Sequence, residues 1–347
     1  MHGKTRKNQD IRPKPKSKTK SKSKTMKQEK KQTKMKMNFK TYFPSEKEKQ
    51  NIQNILNPID RDKIKKEFAQ LKAMGCKGAR EASALTRVGN NIVDCFTGKE
   101  RLHTKGHQQI DFYTFWHNRD YYRTVPYIKK MLVFYESRNV DEMRKFKYIF
   151  NLYFSSISIF RPIVSMEVYC RVKATKVLDF TMGWGGRLVG ACALGLESYI
   201  GIDSNKHLEK PYKEMVSFLK SQEEEPQATT DIKLYFKDAT KFDYSTVKYD
   251  CVFTSPPYYD LEVYRNQSSS KRDKETWHNE FYFPVFKETW KHLQNNGHYC
   301  LNVPVEIYKD ACIPILGKCS FKIPLKKKER TGNHPYKEFI YVWKKMS

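Results

Sequence analysis

The chain has 347 residues, of which 39% are hydrophobic, and it carries a formal net charge of +28. This length and hydrophobic content exclude a wholly disordered chain and allow two domains, or one large domain with an extension. A charge this basic favours a polyanionic partner such as nucleic acid, although solubility in a charged compartment would also account for it. No apolar run approaches the roughly 20 residues of a membrane span, and no secretory signal begins the chain, so we expect a soluble intracellular protein.

Residues 1–40 form a low-complexity basic segment. They contain sixteen Lys and Arg against Asp10 and Glu29, a net charge of +14, so residues 41–347 also carry +14. With almost no large apolar residues, residues 1–40 are predicted to be a disordered basic tail. Such a tail suits either an arm that contacts phosphates or a nuclear-import signal.

Residues 41–155 are predicted to form a helical module rich in aromatic and basic side chains. Helical spacing of apolar residues predicts a helix over Asp60–Met74, with Gly75 as a plausible end. Between Ile110 and Phe154, fourteen aromatic residues alternate with eight Lys and Arg. This mixture is typical of a surface that stacks bases and contacts phosphates, and equally of the apolar sides of packed helices.

From residue 156 to the C-terminus, strand patterns alternate with helix patterns. Strands are predicted over Lys176–Phe180, Ser198–Asp203, Ile232–Phe236, Tyr249–Thr254 and His298–Val303, helices over Arg187–Leu194, Lys206–Lys220 and Phe281–Leu293, and a final hairpin over Cys319–Leu325 and Glu338–Val342. This alternation predicts an α/β domain with a largely parallel sheet.

The eight cysteines include no C-x-x-C pair, and Cys251 and Cys300 lie in apolar, strand-like runs. We therefore expect reduced cysteines that pack in the core, with neither a disulfide framework nor a metal site.

A glycine-rich turn follows the first predicted strand. Asp179 precedes Gly183, Gly185 and Gly186, so backbone N–H groups can approach a ligand closely. Asp203 ends the next strand, where a carboxylate can accept two ribose hydroxyls. After the third strand, Asp238-Ala239 offers a carboxylate to an adenine amino group. The alternative for these acids is helix capping or an ordinary position in a surface loop.

The fourth strand ends in Ser255-Pro256-Pro257-Tyr258, where the two prolines cannot donate to a sheet. In this order, Val177–Leu188, Gly201–Asp203 and Thr254–Tyr258 resemble class I S-adenosylmethionine-dependent methyltransferases. More narrowly, they are similar to the DNA amino-methyltransferases, including those of phages and large DNA viruses, which share a (Ser/Asn/Asp)-Pro-Pro-(Tyr/Phe) motif.

The resemblance covers roughly residues 160–343 and implies a Rossmann-like fold. The expected sheet has seven mostly parallel strands with a C-terminal antiparallel hairpin, preceded by a helical N-terminal extension. The implied cofactor is S-adenosylmethionine, and the implied compartment is the host cytoplasm or nucleus, or a virion. The residues expected to bind the cofactor are Phe160, Asp179, Thr181, Gly183, Gly185, Asp203, Asp238 and Ala239.

The expected catalytic residues are Ser255, Pro256, Pro257 and Tyr258. The Ser255 side chain and the Pro256 carbonyl would each accept one N–H bond from the exocyclic amine of a flipped base, aligning its lone pair with the methyl group. Pro256 and Pro257 would stiffen the turn, and Tyr258 would stack on the base. A proline-rich turn without function is the alternative.

In the family that the motif resembles, a serine at the position of Ser255 is found mostly with N4 of cytosine, and Asp or Asn with N6 of adenine. The resemblance therefore favours cytosine, whereas the order of the motifs is shared by many adenine enzymes. Duplex DNA is the favoured partner. The alternatives are methylation of an RNA or tRNA base, and a nucleic-acid-packaging protein on a non-catalytic scaffold.

Three segments are candidates for recognising the nucleotide sequence around the target base. They are residues 41–155, the loop Tyr259–Lys274 as a lid, and the loop Lys326–His334. The oligomeric state stays open.

Overall fold

The fold is built on one seven-stranded sheet. The computed structural model describes residues 42–58, 60–106, 109–154, 157–222, 229–259, 272–325 and 338–347. The strands are β1 (Lys176–Asp179), β2 (Ser198–Ile202), β3 (Asp231–Tyr235), β4 (Cys251–Thr254), β5 (His298–Asn302), β6 (Phe321–Pro324) and β7 (Phe339–Lys344). Their spatial order is β3-β2-β1-β4-β5-β7-β6. Strands β1 to β5 are parallel, and β7 runs antiparallel to β5 and β6. The predicted α/β fold is confirmed.

Fourteen helices are described around this sheet. They are α1 (Glu46–Leu56), α2 (Arg61–Glu81), α3 (Asn90–Arg101), α4 (Phe112–His117), α5 (Arg119–Thr124), α6 (Pro126–Glu136), α7 (Glu142–Tyr153), α8 (Pro162–Val172), α9 (Gly186–Ala193), α10 (Glu209–Lys220), α11 (Lys274–Trp277), α12 (Phe283–His292), α13 (Val305–Ile307) and α14 (Ile313–Leu316). A π-helical turn, His278–Tyr282, joins α11 to α12. Among these ranges, no helix has both the length and the apolar content needed to cross a membrane.

Alternating side chains of the strands fill two cores, one on each face of the sheet. Val177 and Phe253 point into a core shared with α2, α3, α8, α9 and α10. Leu178 and Val252, one position away in their strands, point into a second core shared with α12. This period of two explains why the parallel strands read as continuous apolar runs, because both faces of the sheet are covered.

The first helices contribute to the same core as the helices next to the sheet. Phe68 and Leu71 of α2 and Phe96 of α3 are buried there together with residues of α8 and α9. Helix α2 does not end at Gly75 but kinks at it, with φ 49°, and continues to Glu81. The division of the chain at residues 155 and 156 stays a prediction.

Two of the cysteines are paired, which differs from the expectation of eight free thiols. Cys76 on α2 and Cys170 on α8 form a disulfide with a Cα–Cα distance of 5.6 Å, and six cysteines are free. The partners lie 94 residues apart in sequence. Their pairing depends on the packing of α2 against α8, which cysteine spacing does not reveal.

Thiol titration of the unfolded protein checks this pairing. Without reductant, we expect six reactive thiols, and after reduction we expect eight. In the variant Cys170→Ser, seven thiols should react under both conditions, because Cys76 then has no partner. Eight thiols in the unreduced protein, purified under air, would show that the pair does not form.

Candidate active site

The candidate site lies where the parallel strands end. Strands β1, β2, β4 and β5 run in one direction, so their carboxyl ends share one edge of the sheet. In register, Asp179 of β1 lies beside Gly201 of β2, and Thr254 of β4 beside Leu301 of β5. In open α/β sheets, this edge is where ligands bind.

Asp179 is fully buried, and its carboxylate hydrogen-bonds to residues of three other elements at this edge of the sheet. One carboxylate oxygen accepts hydrogen bonds from Arg187 Nε at 2.6 Å and from the Tyr199 hydroxyl at 2.6 Å. The other accepts from the Thr254 hydroxyl at 2.7 Å. Burial alone would lower the pKa of Arg187, but the adjacent Asp179 carboxylate raises it above its usual value. Asp179 therefore links β1, β2, β4 and α9 through an internal ion pair.

Thr181 and Phe160 belong to the same network. The Thr181 hydroxyl is 2.5 Å from the Thr254 hydroxyl, and the Thr181 carbonyl accepts a bond from Arg187 Nη2 at 2.5 Å. The Phe160 ring lies 5.3 Å from the Arg187 guanidinium. A Cβ atom at Gly186 would come within 1.8 Å of the Phe160 carbonyl oxygen, so only glycine permits this approach.

The glycine-rich turn is held against Asp203. The Gly183 N–H donates to one oxygen of the Asp203 carboxylate at 2.9 Å, and the Asn205 N–H donates to the other at 2.8 Å. Gly183 has φ 57°, and a Cβ there would meet only the Thr181 carbonyl, at 3.8 Å. The Tyr212 hydroxyl donates to the Met182 and Gly183 carbonyls. The turn is thus fixed, with open space beside Gly183.

Asp203 has a perturbed acidity at this edge. Burial raises the pKa of its carboxyl to about 6, while the N–H bonds from Asn205 and Gly183 oppose the rise. The residue as a whole is half-buried. Each carboxylate oxygen has two acceptor sites, and the described N–H bonds occupy one on each. Asp203 can therefore accept further hydrogen bonds from a ligand.

Asp238 and Ala239 lie at the end of the neighbouring strand β3 and bond within their own turn. The exposed Asp238 carboxylate accepts from the Thr240 N–H at 2.9 Å and from the Thr240 hydroxyl at 2.8 Å. Ala239 is buried, and its carbonyl accepts from the Tyr244 hydroxyl. Asp238 thus caps a short 3-10 turn, Ala239–Lys241, of which Ala239 is the first residue.

The expected catalytic residues Ser255 and Tyr258 form a hydroxyl cluster with Asn302, the last residue of β5. The Ser255 and Tyr258 oxygens are 2.9 Å apart. The Ser255 and Tyr258 hydroxyls can donate to the main-chain carbonyl of Asn302, at 3.3 and 2.9 Å respectively. The side-chain Nδ2 of Asn302 can donate to the same two hydroxyls, at 3.2 and 2.8 Å. Asn302 thereby fixes the orientation of both hydroxyls.

The two prolines have different environments. Pro256 is buried, and no residue that the structure describes donates to its carbonyl. The Pro257 carbonyl accepts from the Tyr282 hydroxyl, which also accepts the Tyr259 N–H at 3.3 Å. Tyr259 has φ 53°, and its hydroxyl lies 3.1 Å from His278 Nε2. The turn is therefore anchored to the π-helical segment.

The structure brings three of the twelve predicted site residues into one connected network. Hydrogen bonds or a ring contact join Phe160, Asp179 and Thr181 to Arg187, and Thr254, the residue before Ser255, belongs to the same network. Gly183 with Asp203, and Ser255 with Tyr258, form two further hydrogen-bonded groups. Four residues of the site were not among the predicted site residues: Arg187, Tyr199, Thr254 and Asn302. Arg187 directly follows the glycine turn, and the other three lie on predicted strands. Their positions in the sequence, next to the motifs, were therefore the signal that could have identified them.

Three predicted elements fall outside the described residues. They are the basic tail, most of the proposed lid between Tyr259 and Lys274, and the loop Lys326–His334.

The comparisons with known proteins concern the fold. No protein-family model matches the chain, and a sequence search of curated proteins finds no match. The structure of TrmN from Thermus thermophilus is 15% identical with a TM-score of 0.36, over 53% of this chain and 49% of TrmN, so the chain spans about half of that structure. An rRNA methylase from Streptococcus thermophilus is 12% identical with a TM-score of 0.35, over 55% of this chain and 99% of its own. A methyltransferase homologue from Pyrococcus horikoshii is 12% identical with a TM-score of 0.36, over 53% of this chain and 67% of its own.

Proposed function

We propose that this protein transfers a methyl group from S-adenosylmethionine to the exocyclic amine of a flipped base in duplex DNA. The observation that carries the proposal is the Ser255–Tyr258–Asn302 cluster at the end of β4, beside the turn held by Asp179 and Asp203. A set of fixed acceptors thus adjoins a turn that would accept a Cβ at Gly183 without a clash, and a carboxylate that has free acceptor sites. This is the arrangement that positioning an amine against a bound donor requires.

The residues at β1 and β2 suit the donor. The open space beside Gly183 allows a ligand to approach the backbone, and the free acceptor sites of Asp203 suit two ribose hydroxyls. When bound, S-adenosylmethionine supplies an electrophilic methyl group on a sulfonium. Asp179 lies too deep to contact a ligand, so its role is to position the turn through Arg187 and Thr254.

The residues at β4 and β5 suit the amine. The lone pair of an aromatic amine is delocalised into its ring, so the amine reacts only when that lone pair is turned out of conjugation. Ser255 Oγ, which accepts one bond from Asn302, can accept a second from an amine N–H. The Pro256 carbonyl can accept the other N–H. Two acceptors on a stiff turn would hold the nitrogen in the required orientation.

A serine at the first position of the motif leads us to propose N4 of cytosine as the preferred target. Ser255 is small and neutral, and its hydroxyl is already oriented by Asn302. N6 of adenine is the alternative target of the same geometry.

Transfer of a labelled methyl group tests the substrate. Purified full-length protein is incubated with methyl-labelled S-adenosylmethionine and either duplex DNA or RNA of matched sequence. We expect label in duplex DNA, and none with the variant Ser255→Ala/Tyr258→Ala. Label in RNA alone would replace DNA by RNA as the substrate. Failure to bind the donor in calorimetry would instead support a non-catalytic scaffold.

The affinity for the donor should depend on the protonation of Asp203. With its pKa near 6, the carboxyl becomes protonated as the pH falls below 6 and loses acceptor capacity for ribose hydroxyls. The Kd for the donor should therefore be constant above pH 7 and rise about tenfold per pH unit below 6.

Calorimetry between pH 5 and 8 measures this dependence, and two variants bracket it. Asp203→Asn should bind the donor weakly, with a Kd that does not rise below pH 6. Asp238→Asn, which changes an exposed acid at the neighbouring strand end, should keep the rise of the Kd below pH 6. A rise that persists in Asp203→Asn would assign the titration to another group.

A further inference from the structure

The aromatic residues between Ile110 and Phe154 divide into a buried and an exposed set. Phe112, Phe115, Phe146 and Phe150 are at most 1% exposed and pack on one another. By contrast, the α6–α7 face, defined here as Tyr127, Val133, Phe134, Tyr148 and Leu152, remains 42–60% exposed. Helix packing therefore accounts for the first set, whereas the side chains of the second set stay partly exposed.

The exposed rings are regularly arranged on a helical hairpin. Tyr127 and Phe134 are seven residues apart on α6, which places them on the same side of the helix about 10 Å apart along its axis. Tyr148 lies on α7 in contact with Tyr135 of α6, with ring centroids 5.4 Å apart. At the other end, Tyr127 contacts Tyr153 at 4.7 Å. Ring contacts thus join the two helices at both ends of the face.

The cations around this face are not all neutralised. Arg123 pairs with Glu142, and Arg144 pairs with Asp141. The exposed Lys129 and Lys130 of α6 pair with no carboxylate in the described part of the chain. The Arg138 guanidinium lies 3.6 Å from the centroid of the Phe134 ring. Exposed rings beside free cations are the two components that single-stranded nucleic acid requires.

We propose that the α6–α7 face binds an unpaired stretch of nucleic acid, with bases stacked on Tyr127, Phe134 and Tyr148 and phosphates near Lys130. Lys130 lies three residues after Tyr127 and four before Phe134, on the same side of α6. The proposal rests on the proposed function in taking nucleic acid as the substrate. Bases inside a duplex already stack on their neighbours, so exposed rings have no face to contact there. A second copy of the chain fits less well, because two such faces would bring like charges together.

Binding of a fluorescently labelled, 20-nucleotide single strand to full-length protein tests the proposal. Fluorescence anisotropy at about 0.3 M salt weakens the contribution of the basic tail, whereas stacking persists. We expect Phe134→Ala and Tyr148→Ala each to raise the Kd about 5- to 100-fold. Phe321→Ala is the matched control, because Phe321 on β6 is similarly exposed, at 41%, and should leave the Kd unchanged.

The charged residues give a second, independent measurement. Lys130→Gln should reduce the slope of log K against log salt concentration by about 0.7, the value for one phosphate contact with a single strand. Lys66→Gln, at an exposed position of α2, should change the slope less.

The outcomes separate this proposal from the proposed function. Unchanged strand affinity in Phe134→Ala and Tyr148→Ala would overturn the binding face, whether or not the protein methylates DNA. A dimer that these variants convert to monomer, with strand affinity unchanged, would also overturn it and assign the face to self-association. Weakened strand binding in the variants supports the face even if the wild-type protein transfers no methyl group.

Discussion

Removing the hydroxyls of Ser255 and Tyr258 together is expected to lower kcat for methyl transfer while leaving the affinity for the donor unchanged. In Ser255→Ala/Tyr258→Phe, the aromatic ring stays, but Asn302 loses both of its hydroxyl partners. The amine then loses one fixed acceptor, and the turn loses the link to β5. Preorganised hydrogen-bonding groups of this kind contribute about 10²–10³-fold to kcat each, so we expect a loss in that range or above.

Tyr259→Phe is the matched control for this double variant. Tyr259 is the next residue, and its hydroxyl contacts His278 rather than the cluster. Its loss should leave kcat close to the wild-type value. Single-turnover rates at saturating donor and DNA measure the chemical step directly. If the double variant and Tyr259→Phe retained equal, near-wild-type rates, the cluster would have no part in catalysis.

The second large effect is expected on stability, from Asp179→Ala. This change leaves the buried Arg187 without its carboxylate and removes the acceptor of the Tyr199 and Thr254 hydroxyls. Breaking a buried ion pair by removing one partner costs about 3–5 kcal/mol in the free energy of unfolding, because an uncompensated charge stays buried. The loss should be measurable by urea denaturation with unchanged m-value.

An exposed ion pair provides the comparison for Asp179. Glu209 pairs with Lys213 on the surface of α10, and Glu209→Ala should cost at most about 1 kcal/mol. In Asp179→Leu/Arg187→Met, which removes both charges, stability should partly recover, because no unpaired charge remains. Equal losses for Asp179→Ala and Glu209→Ala would contradict the role assigned to the network.

The order of strands and helices in the sheet domain could be predicted from the sequence because each element carries its own signal. The apolar runs at β1 and β4, and the glycines before α9, are local patterns. The position of Asp203 at a strand end follows from the same patterns. Asn302 could not be assigned, because its role depends on the pairing of β5 with β4, about fifty residues earlier in the chain.

Other features depended on tertiary packing and were predicted incompletely. Helix α2 continues after the kink at Gly75 because two later residues are held by tertiary contacts. Ala79 is buried in the first core, and Cys76 forms a disulfide with Cys170. Composition alone could not distinguish Phe150, which is buried, from Tyr148, two residues away and exposed. The direction of the Tyr258 hydroxyl toward Asn302 likewise follows from the folded edge and not from the motif.

Nucleoside analysis of DNA from a methylation-free host that expresses the protein tests the central claim most directly. Mass spectrometry of the digested genome should detect N4-methylcytosine with the wild-type protein and much less of it with Ser255→Ala/Tyr258→Phe. N6-methyladenine in its place would keep the amino-methyl transfer and change the base. Genomic DNA without a methylated exocyclic amine, from a host that accumulates the folded protein, would contradict the account.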